Sequence, residues 1–455
     1  MIRKQVVKLL LESGQEQFLK SYDKLSYTEK EIVGRQILNL DFDLIASMKN
    51  SLRHPSTEGE EVFPASPSAR AGSLEFKETG IRALQEMKCG AILVAGGQGS
   101  RLRSSLPKGF FKTTLIKQKS LFQLFAEKCI AASALAKTQL PIAIMTSFDN
   151  HAETCIFFAE NHYFGLLPSQ LSFFMQPSLP VLDLEGNLFL ESSERIAFAP
   201  NGNGAVYTSF LEEGIYRRWK ERGIECVTFS QIDNPLSDPF DPEFIGFHLS
   251  HGLDVGIKSI AKKKSDEKLG LIVSQKDGTI RIIEYSEISD RLKAEQNERG
   301  ELLFSLANIS TFSFSLSFMA EAAKTALPLH PSKKAVKVWN GVDAATIPET
   351  PNAFKFEQFV FDAFALTKKI ETILYEREEV FSPLKNFEGE ASIESVRESL
   401  LRSDQRAFER VTGRPLSDKE RSEGFELSLD FHYPTEELCS KWKGKSLPPQ
   451  KYISP

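Results

Sequence analysis

The sequence predicts an α/β fold with a mixed β-sheet, and three observations lead to this fold class. Between residues 91 and 232, short apolar segments alternate with segments long enough for helices, which is typical of a parallel sheet covered on both faces. Between residues 270 and 318 the strand patterns follow one another closely, with Asp277-Gly278 as a hairpin turn signal. Helical patterns occupy both ends of the chain. The sheet is therefore expected between an N-terminal helical arm and a small C-terminal element.

The N-terminal arm is predicted from helix start signals. Ser26 with Glu29, and Thr28 with Glu31, are candidate capping boxes, in which two side chains satisfy free backbone N–H groups reciprocally. Residues 52–73 then turn to Pro, Ser, Gly and Glu, a composition that predicts a linker or a long wrapping arm. The core is expected to begin after this linker.

The core elements follow from apolar periodicity. Parallel strands are predicted at 91–95, 142–146, 171–175 and 227–232, with helices over 121–135 and 203–222. Antiparallel strands are predicted at 271–274, 280–285, 302–306 and 311–318. Residues 302–320 carry no charged side chain, but Phe alternates with Ser and Thr there, which favours a strand over a membrane span. A helix over 393–408 opens the C-terminal element.

Charge and cysteine content limit the function classes. With 56 Lys and Arg residues against 61 Asp and Glu, the net charge is -5, so we expect neither a nucleic-acid partner nor a membrane partner. The five cysteines form no Cys-x-x-Cys pair, and an odd count is poor material for a disulfide framework. The N-terminus lacks the continuous apolar segment of a signal peptide. These features predict a cytoplasmic protein.

The sharpest local motif is a glycine-rich turn at the end of a predicted strand. Residues 91–95 run directly into Gly96-Gly97-Gln98-Gly99-Ser100-Arg101-Leu102. Glycines permit positive φ and close approach of the backbone, and such a turn at the carboxyl end of a parallel strand can present N–H groups to phosphate. A glycine turn without a ligand is the alternative.

Two common nucleotide motifs do not fit this chain. Leu102 stands where the dinucleotide fingerprint needs its third glycine. The Gly-Lys-Ser at 444–446 lacks the upstream glycine of a P-loop, because position 439 is Cys. Patterns for a zinc protease, a serine hydrolase or a paired-cysteine zinc site are also missing from the sequence. Rossmann dehydrogenases and P-loop kinases are therefore set aside.

The run from Ala95 to Leu102, followed by Pro107-Lys108-Gly109, resembles the signature of the eukaryotic-type UDP-N-acetylhexosamine pyrophosphorylases. These enzymes, with UDP-N-acetylglucosamine pyrophosphorylase as the nearest type, belong to the UDP-sugar pyrophosphorylase family. Further blocks in the family's order cover nearly all of residues 88–386, among them Gln231-Ile-Asp-Asn234, Glu284-Tyr-Ser-Glu-Ile288, Glu357-Gln-Phe-Val-Phe-Asp362 and Phe381-Ser-Pro-Leu-Lys-Asn386.

The resemblance implies a Rossmann-like, GT-A-like nucleotidyltransferase core over residues 74–389. A helical arm with its linker would span 1–73, and the small C-terminal element would span 390–455. The implied reaction joins UTP and N-acetylglucosamine 1-phosphate into UDP-N-acetylglucosamine and pyrophosphate. Glucose 1-phosphate, N-acetylgalactosamine 1-phosphate and broader sugar use stay open. So do a UTP or UDP-sugar sensor without turnover, a scaffold protein and the oligomeric state.

By resemblance, cations carry the catalysis, because a sugar phosphate is already an anionic nucleophile that needs little general-base help. Arg101 and Lys108 are expected on the triphosphate and the departing pyrophosphate, and Lys385 is expected to neutralise the phosphates from the other side. Asp233, at the end of an apolar strand, is expected to hold Mg²⁺. An N-cap, or an Asx turn with Asn234, is the structural alternative.

The remaining contacts are also implied by the resemblance. The nucleotide would be bound by Ala95, Gly96, Gly97, Gly99, Gln176 and Gly202. The sugar would be bound by Asn203, Gly270, Glu284, Tyr285, Asn308, Phe359 and Phe361. The chain departs from the family pattern at three positions, because Asn201 replaces an Asp, Arg103 a Gly and Met175 a Gln. These departures bear on the preferred sugar and on fine geometry rather than on the nucleotide chemistry.

Overall fold

The structure, a computed structural model, describes residues 2–53, 61–104, 106–341 and 345–455. The chain divides into two compact units, which we name by their content. The small unit comprises residues 1–60, 176–205 and 326–362, and the sheet unit comprises 61–175, 206–325 and 363–455. The domain boundaries predicted after residues 73 and 389 stay predictions. Neither structural unit is a continuous stretch of the chain.

The sheet unit is organised around a mixed sheet of eleven strands within the described residues. Along its main path the strands lie in the order Ala69–Arg70, Ile370–Leu374, Val255–Ala261, Leu306–Ser315, Cys226–Gln231, Cys89–Val94, Ile142–Thr146 and Leu171–Met175. The strands Phe63–Pro64, Leu271–Ser274 and Ile280–Ile283 extend it from Leu306–Ser315. The prediction of an α/β fold with a mixed sheet is confirmed.

Strand direction brings the candidate phosphate residues to one edge. Leu306–Ser315 is antiparallel to both of its neighbours, and the other seven strands of the main path share one direction. The carboxyl ends of these strands therefore lie at the same edge, where open α/β sheets bind ligands. Ala95 and Asp233 follow two adjacent parallel strands at this edge.

Helices cover the sheet and form the C-terminal element. The helices of the sheet unit are Leu74–Gln85, Leu121–Ala136, His151–Glu160, Val206–Glu212, Ile215–Glu221, Pro242–Ser250, Asp290–Ala294, Leu316–Ala322, Arg377–Val380, Ile393–Thr412, Asp418–Ser422 and Glu436–Trp442. The C-terminal element has its own apolar cluster around Phe408, Phe431 and Trp442, and a short sheet of Glu426–Leu427 and Tyr452–Ile453. No helix of the described chain is long and apolar enough to cross a membrane.

Several predicted elements differ from the observed ones. The strands predicted at 302–306 and 311–318 are one strand, Leu306–Ser315, after which Ser315 caps a helix by accepting from the N–H of Phe318. The helix predicted over 203–222 is interrupted at Gly214, which has φ +66°. Within the predicted linker, Phe63–Pro64 and Ala69–Arg70 join the sheet, while 54–60 lie outside the described residues.

Within the described residues, the small unit contains the N-terminal helices and four small sheets, three of two strands and one of three strands. Its helices are Ile2–Glu12, Glu16–Asp23, Tyr27–Leu38 and Phe42–Arg53. Its strands are Ser178–Pro180, Leu182–Asp183, Leu190–Ser192, Arg195–Ile196, Phe198–Pro200, His330–Lys334, Val338–Trp339, Ala345–Thr346 and Ala353–Glu357. The capping box predicted at Ser26 and Glu29 is present. Gln36 donates to the carbonyl of Glu194 at 2.6 Å and accepts from the N–H of Ile196 at 3.0 Å, which fastens a helix to a hairpin.

Candidate active site

The glycine loop (residues 96–104) follows the buried strand Cys89–Val94 and is anchored from the next strand. The Nδ2 of Asn150 donates to the carbonyl of Ala95 at 2.8 Å, and the Oγ of Ser147 donates to the carbonyl of Gly96 at 3.0 Å. Asn150 also accepts from the N–H of Ser147 at 2.9 Å. Because Ser147 and Asn150 are only 1% exposed, their bonds hold the first residues of the loop rigidly.

Close approach, rather than positive φ, explains Gly99 in this turn. Gly97 and Gly99 do not have positive φ. A Cβ on Gly99 would lie 2.9 Å from the ring of Phe111 and 3.0 Å from the carbonyl of Leu106, too close for a side chain. The left-handed conformation falls instead on Arg103, with φ +55°. This is the position at which the resemblance expects a glycine.

Lys108 and Asp233 face each other at the carboxyl edge of the sheet. The Nζ of Lys108 lies 3.5 Å from Oδ2 of Asp233, and the two side chains are 13% and 11% exposed. The backbone N–H of Lys108 donates to the carbonyl of Gly97 at 3.3 Å, which ties the lysine to the glycine loop. The structure therefore brings one predicted catalytic cation and the predicted metal ligand into one cluster with the glycine loop.

The segment that carries Lys385 is bonded to the same strand end. The N–H of Leu384 donates to the carbonyl of Asp233 at 2.7 Å. Lys385 and Arg101 have no ion pair within 4.0 Å in the part of the chain that the structure describes. Two further cations are thus available to an anionic substrate in this unit.

Buried Lys128 supports the loop after Asp233. Its Nζ donates to the carbonyls of Pro235 at 2.6 Å and Ser237 at 2.7 Å. Burial lowers the pKa of Lys128 to about 8. The ammonium of Lys128 therefore supports the backbone of this loop.

Four predicted sugar-binding residues lie in the sheet unit. The carbonyl of Gly270 accepts from the N–H of Asn308 at 2.9 Å, and a Cβ on Gly270 would lie 3.5 Å from Oε2 of Glu284. These three residues therefore cluster. Tyr285 follows Glu284 and is 40% exposed. The Oδ1 of Asn308 accepts from the N–H of Ser310 at 2.8 Å, so its Nδ2 is the atom left to meet a sugar.

The other predicted ligand residues cluster in the small unit. Gly202 has φ +93°, and a Cβ there would lie 2.6 Å from the carbonyl of Gln358. The Oδ1 of Asn203 accepts from the N–H of Val360 at 2.9 Å, and the rings of Phe359 and Phe361 stack at 5.0 Å. Gln176 is 6% exposed and its buried Oε1 has no hydrogen-bond partner in the described chain. An acceptor left in this way fits a ligand that supplies an N–H.

A metal site at Asp233 is compatible with the donor chemistry. The described residues contain no group of three or more His, Cys, Asp or Glu side chains arranged for a metal. Mg²⁺ does not need one, because it keeps several waters and is commonly bound by one or two carboxylates together with substrate phosphates. Asp233, beside the glycine loop, supplies such a carboxylate.

Residues 59–432 match the profile of the family described as UTP–glucose-1-phosphate uridylyltransferase. The chain belongs to this family. The UDP-N-acetylglucosamine pyrophosphorylase of Saccharomyces cerevisiae is 33% identical over 408 residues, which cover 84% of this chain and 85% of the yeast protein. UDP-N-acetylglucosamine diphosphorylase 1 of Arabidopsis thaliana is 33% identical over 416 residues, covering 85% and 80% of the two chains.

A solved structure supports the fold of this uridylyltransferase family member. The crystal structure of the uridine diphosphate N-acetylglucosamine pyrophosphorylase from Trypanosoma brucei, in complex with an inhibitor, superposes with a TM-score of 0.78 at 26% sequence identity. The match covers 100% of this chain and 98% of that one. The family resemblance seen in the motif blocks is thereby confirmed.

The site of this uridylyltransferase depends on residues that position the substrate-binding groups as well as on those groups themselves. Several of these positioning residues are not evident from the sequence. The sequence patterns do not mark Ser147, Asn150 or Lys128 as site residues, and they mark Asn234 only as a turn residue. A usable signal was present for two of them, because Ser147 and Asn150 directly follow the parallel strand Ile142–Thr146. Side chains there lie at the same sheet edge as the glycine loop.

Proposed function

We propose that this protein is a uridylyltransferase that makes UDP-N-acetylglucosamine and pyrophosphate from UTP and N-acetylglucosamine 1-phosphate. The observation that carries the proposal is the pairing of Lys108 with Asp233 at 3.5 Å beside the glycine loop. A cation and a carboxylate at the carboxyl edge of the sheet suit a metal-dependent transfer between phosphates. The names of the relatives supply the substrate class.

The chemistry is an in-line displacement at the α-phosphorus of UTP. A phosphate oxygen of the sugar 1-phosphate forms the new P–O bond, and the bond from the α-phosphorus to the α,β-bridging oxygen breaks, so that pyrophosphate leaves with the electron pair. The nucleophile is already ionised, so positioning and charge neutralisation are the main needs. Lys108 and Arg101 are assigned to the β- and γ-phosphates, and Lys385 to the reacting phosphates. Asn150 and Ser147 hold the glycine loop that receives the nucleotide.

Mg²⁺ is proposed as the cofactor and Asp233 as its protein ligand. When bound, the ion would offset the negative charge that accumulates on the triphosphate as pyrophosphate departs. Lys108 then has a second role, because its ammonium balances Asp233 before the ion arrives. We also propose that Gln176, Gly202 and the glycine-loop backbone bind the nucleotide, and that Asn203, Gly270, Glu284, Tyr285, Asn308, Phe359 and Phe361 bind the sugar. The cytoplasmic location stays a prediction.

Glucose 1-phosphate is the second candidate substrate, because the matching family profile is described by that sugar. The decisive experiment measures pyrophosphate release from UTP and Mg²⁺ with each sugar phosphate at subsaturating concentration, so that rates report kcat/KM. Faster turnover of N-acetylglucosamine 1-phosphate is expected. Faster turnover of glucose 1-phosphate would replace the proposed sugar, and no turnover with either would overturn the proposed reaction.

A further inference from the structure

The segment 380–385 is bound to the loop that carries Asp233 by one buried side chain. Asn234 is 6% exposed. Its Nδ2 donates to the carbonyl of Val380 at 2.7 Å, and its Oδ1 accepts from the N–H of Ser382 at 3.0 Å. Both partners lie almost 150 residues further along the chain, at separations of 146 and 148 positions.

We propose that Asn234 is a positioning residue, which holds segment 380–385 in place and thereby sets Lys385 beside the Asp233 phosphate site. The inference rests on the proposed function, because it assumes the roles given above to Asp233 and Lys385. Asn234 touches no reacting atom in this scheme and acts through Lys385.

The side-chain amide of Asn234 supplies both the donor and the acceptor that the segment needs. Val380 ends the helix Arg377–Val380, so its carbonyl lacks an intrahelical partner and needs a donor. Ser382 precedes Pro383, which has no N–H to offer, so the segment has few backbone donors with which to fasten itself. A planar amide supplies one donor and one acceptor in a fixed geometry. An aspartate in its place would lack the donor.

Backbone hydrogen bonds lie on both sides of the Asn234 contacts and link the position of its amide to that of Lys385. The bond from the Leu384 N–H to the Asp233 carbonyl, at 2.7 Å, lies directly next to the Asn234 contacts. Lys385 then donates through its own N–H to the carbonyl of Ala391 at 2.8 Å. On the other side, Lys128 fixes the carbonyls of Pro235 and Ser237. The side chain of Asn234 therefore joins two supported segments.

The test compares Asn234→Ala with a matched control and with a double variant. Gln170→Ala is the control, because Gln170 is 7% exposed, donates to the carbonyl of Leu140 at 3.1 Å and accepts from the N–H of Leu167 at 3.2 Å. Gln170→Ala therefore removes the same kind of buried side-chain amide from a position to which no role in the reaction is assigned. Pyrophosphate release with UTP and N-acetylglucosamine 1-phosphate is measured for the wild type, Asn234→Ala, Lys385→Ala, Gln170→Ala and the combinations of each amide variant with Lys385→Ala.

Asn234→Ala is expected to lower kcat by about tenfold to a hundredfold, as misplacement of a reacting group does, with a smaller change in KM. In the Asn234→Ala background, adding Lys385→Ala should lower kcat by less than about threefold. In the Gln170→Ala background it should lower kcat by the same factor as in the wild type. Independent, multiplying effects of Asn234→Ala and Lys385→Ala would overturn the inference, and so would a Lys385→Ala variant of full activity.

A second variant covers the case in which Asn234→Ala does not fold. Asn234→Ser keeps a hydroxyl that can bond one of the two backbone groups, and it should show the same coupling to Lys385→Ala at a smaller loss of kcat. Equal losses from Lys385→Ala in the wild-type and Asn234→Ser backgrounds would also reject the role. Failure of the proposed function is distinguished by the wild type alone, which would then release no pyrophosphate.

Discussion

At the scale of the residue, the pair of Lys108 and Asp233 concentrates the proposed chemistry. The two groups are 125 positions apart in sequence and are 3.5 Å apart in the structure. Lys108→Ala removes a cation aimed at charge that develops during the displacement, and we expect kcat to fall by about 10²-fold or more. Lys112→Ala is the matched control, because Lys112 is an exposed lysine four residues further on and has no assigned role.

Steady-state kinetics of pyrophosphate release measure both variants. Lys112→Ala should keep nearly full activity. A loss of less than about tenfold in Lys108→Ala, equivalent to about 1.4 kcal/mol of barrier, would remove Lys108 from the catalytic role.

Arg103 provides a test of backbone strain at the end of the glycine loop. Its φ of +55° suits glycine, and the arginine is held by an ion pair to Glu388 at 3.8 Å and by the ring of Phe387 at 4.5 Å. Arg103→Gly and Arg103→Ala both lose these exposed contacts, but only glycine relieves the left-handed strain of about 1 kcal/mol. We expect Arg103→Gly to be about 1 kcal/mol more stable than Arg103→Ala in denaturant unfolding. Equal stabilities would contradict the observed φ.

What the sequence reveals at this scale depends on where the signal lies. Lys108 and Asp233 stand inside motif blocks and were predicted as site residues. Asn150 and Asn234 act through side-chain bonds to backbone groups of segments far away in sequence, and residue type does not report such a partner. Gly99 was predicted as a loop residue, but the reason for its presence, the approach of Phe111 and Leu106, requires coordinates.

At the scale of the element, two helices of the sheet unit pack through glycines. A Cβ on Gly80 would lie 1.8 Å from the carbonyl of Pro242, and one on Gly246 would lie 1.7 Å from the carbonyl of Phe76. Helix Leu74–Gln85 and helix Pro242–Ser250 therefore approach closely enough for backbone to touch backbone. This helix pair packs on the sheet, because Phe244 and Phe247 of the second helix share an apolar cluster with Ile260 and Ile373 of two sheet strands.

Gly246→Ala is predicted to destabilise the protein despite the better helix propensity of alanine. Alanine gains about 1 kcal/mol from propensity, but a methyl group against a carbonyl forces the helices apart, and we expect a net loss of at least about 2 kcal/mol. Gly424→Ala is the control, since a Cβ there would meet only the end of the Leu115 side chain, at 3.2 Å. Thermal unfolding measures both, and a stabilised Gly246→Ala variant would refute the close contact.

Element prediction succeeded where periodicity was unambiguous and failed where a side chain ended an element. Strands were predicted at 142–146, 171–175 and 271–274 and are found at these bounds. The period-2 pattern of Phe and Ser predicts a strand through residue 318, but Ser315 accepts from the N–H of Phe318 and starts a helix. A serine in such a pattern is equally suited to a strand face and to an N-cap.

At the scale of the whole molecule, each of the two units is built from segments that are separated in the sequence. The chain leaves the sheet unit after residue 175, returns at 206, and repeats this exit between 326 and 362. The small unit is thus assembled from three segments, joined by contacts such as that of Gln15, which accepts from the N–H of Leu188 at 2.7 Å. Boundaries predicted from composition follow the chain linearly, and linear reasoning does not detect a unit built from separated segments.

The pH dependence of global stability is predicted from His248, which is buried between its helix and the strand Leu306–Ser315. Its ring nitrogen Nδ1 lies 3.0 Å from the Oγ of Ser313, and burial lowers the pKa of His248 to about 4, against a smaller opposing effect of Asp254. In the unfolded chain the pKa returns to about 6.5. Between these values the unfolded state binds a proton that the native state does not, so stability falls as the pH drops from about 6.5 to about 4. The shift corresponds to about 3 kcal/mol.

His248→Gln tests this origin, because glutamine can still bond Ser313 and does not titrate. The free energy of unfolding is measured for both proteins from pH 7.5 to pH 4. The difference in stability between wild type and variant should be constant above pH 7 and should then shift by up to about 3 kcal/mol in favour of the variant towards pH 4. The carboxyl groups titrate in both proteins, so their contributions to stability cancel in the comparison. Parallel curves over the whole range would show that His248 is protonated equally easily in the folded and unfolded chains, and would exclude it as a source of acid sensitivity.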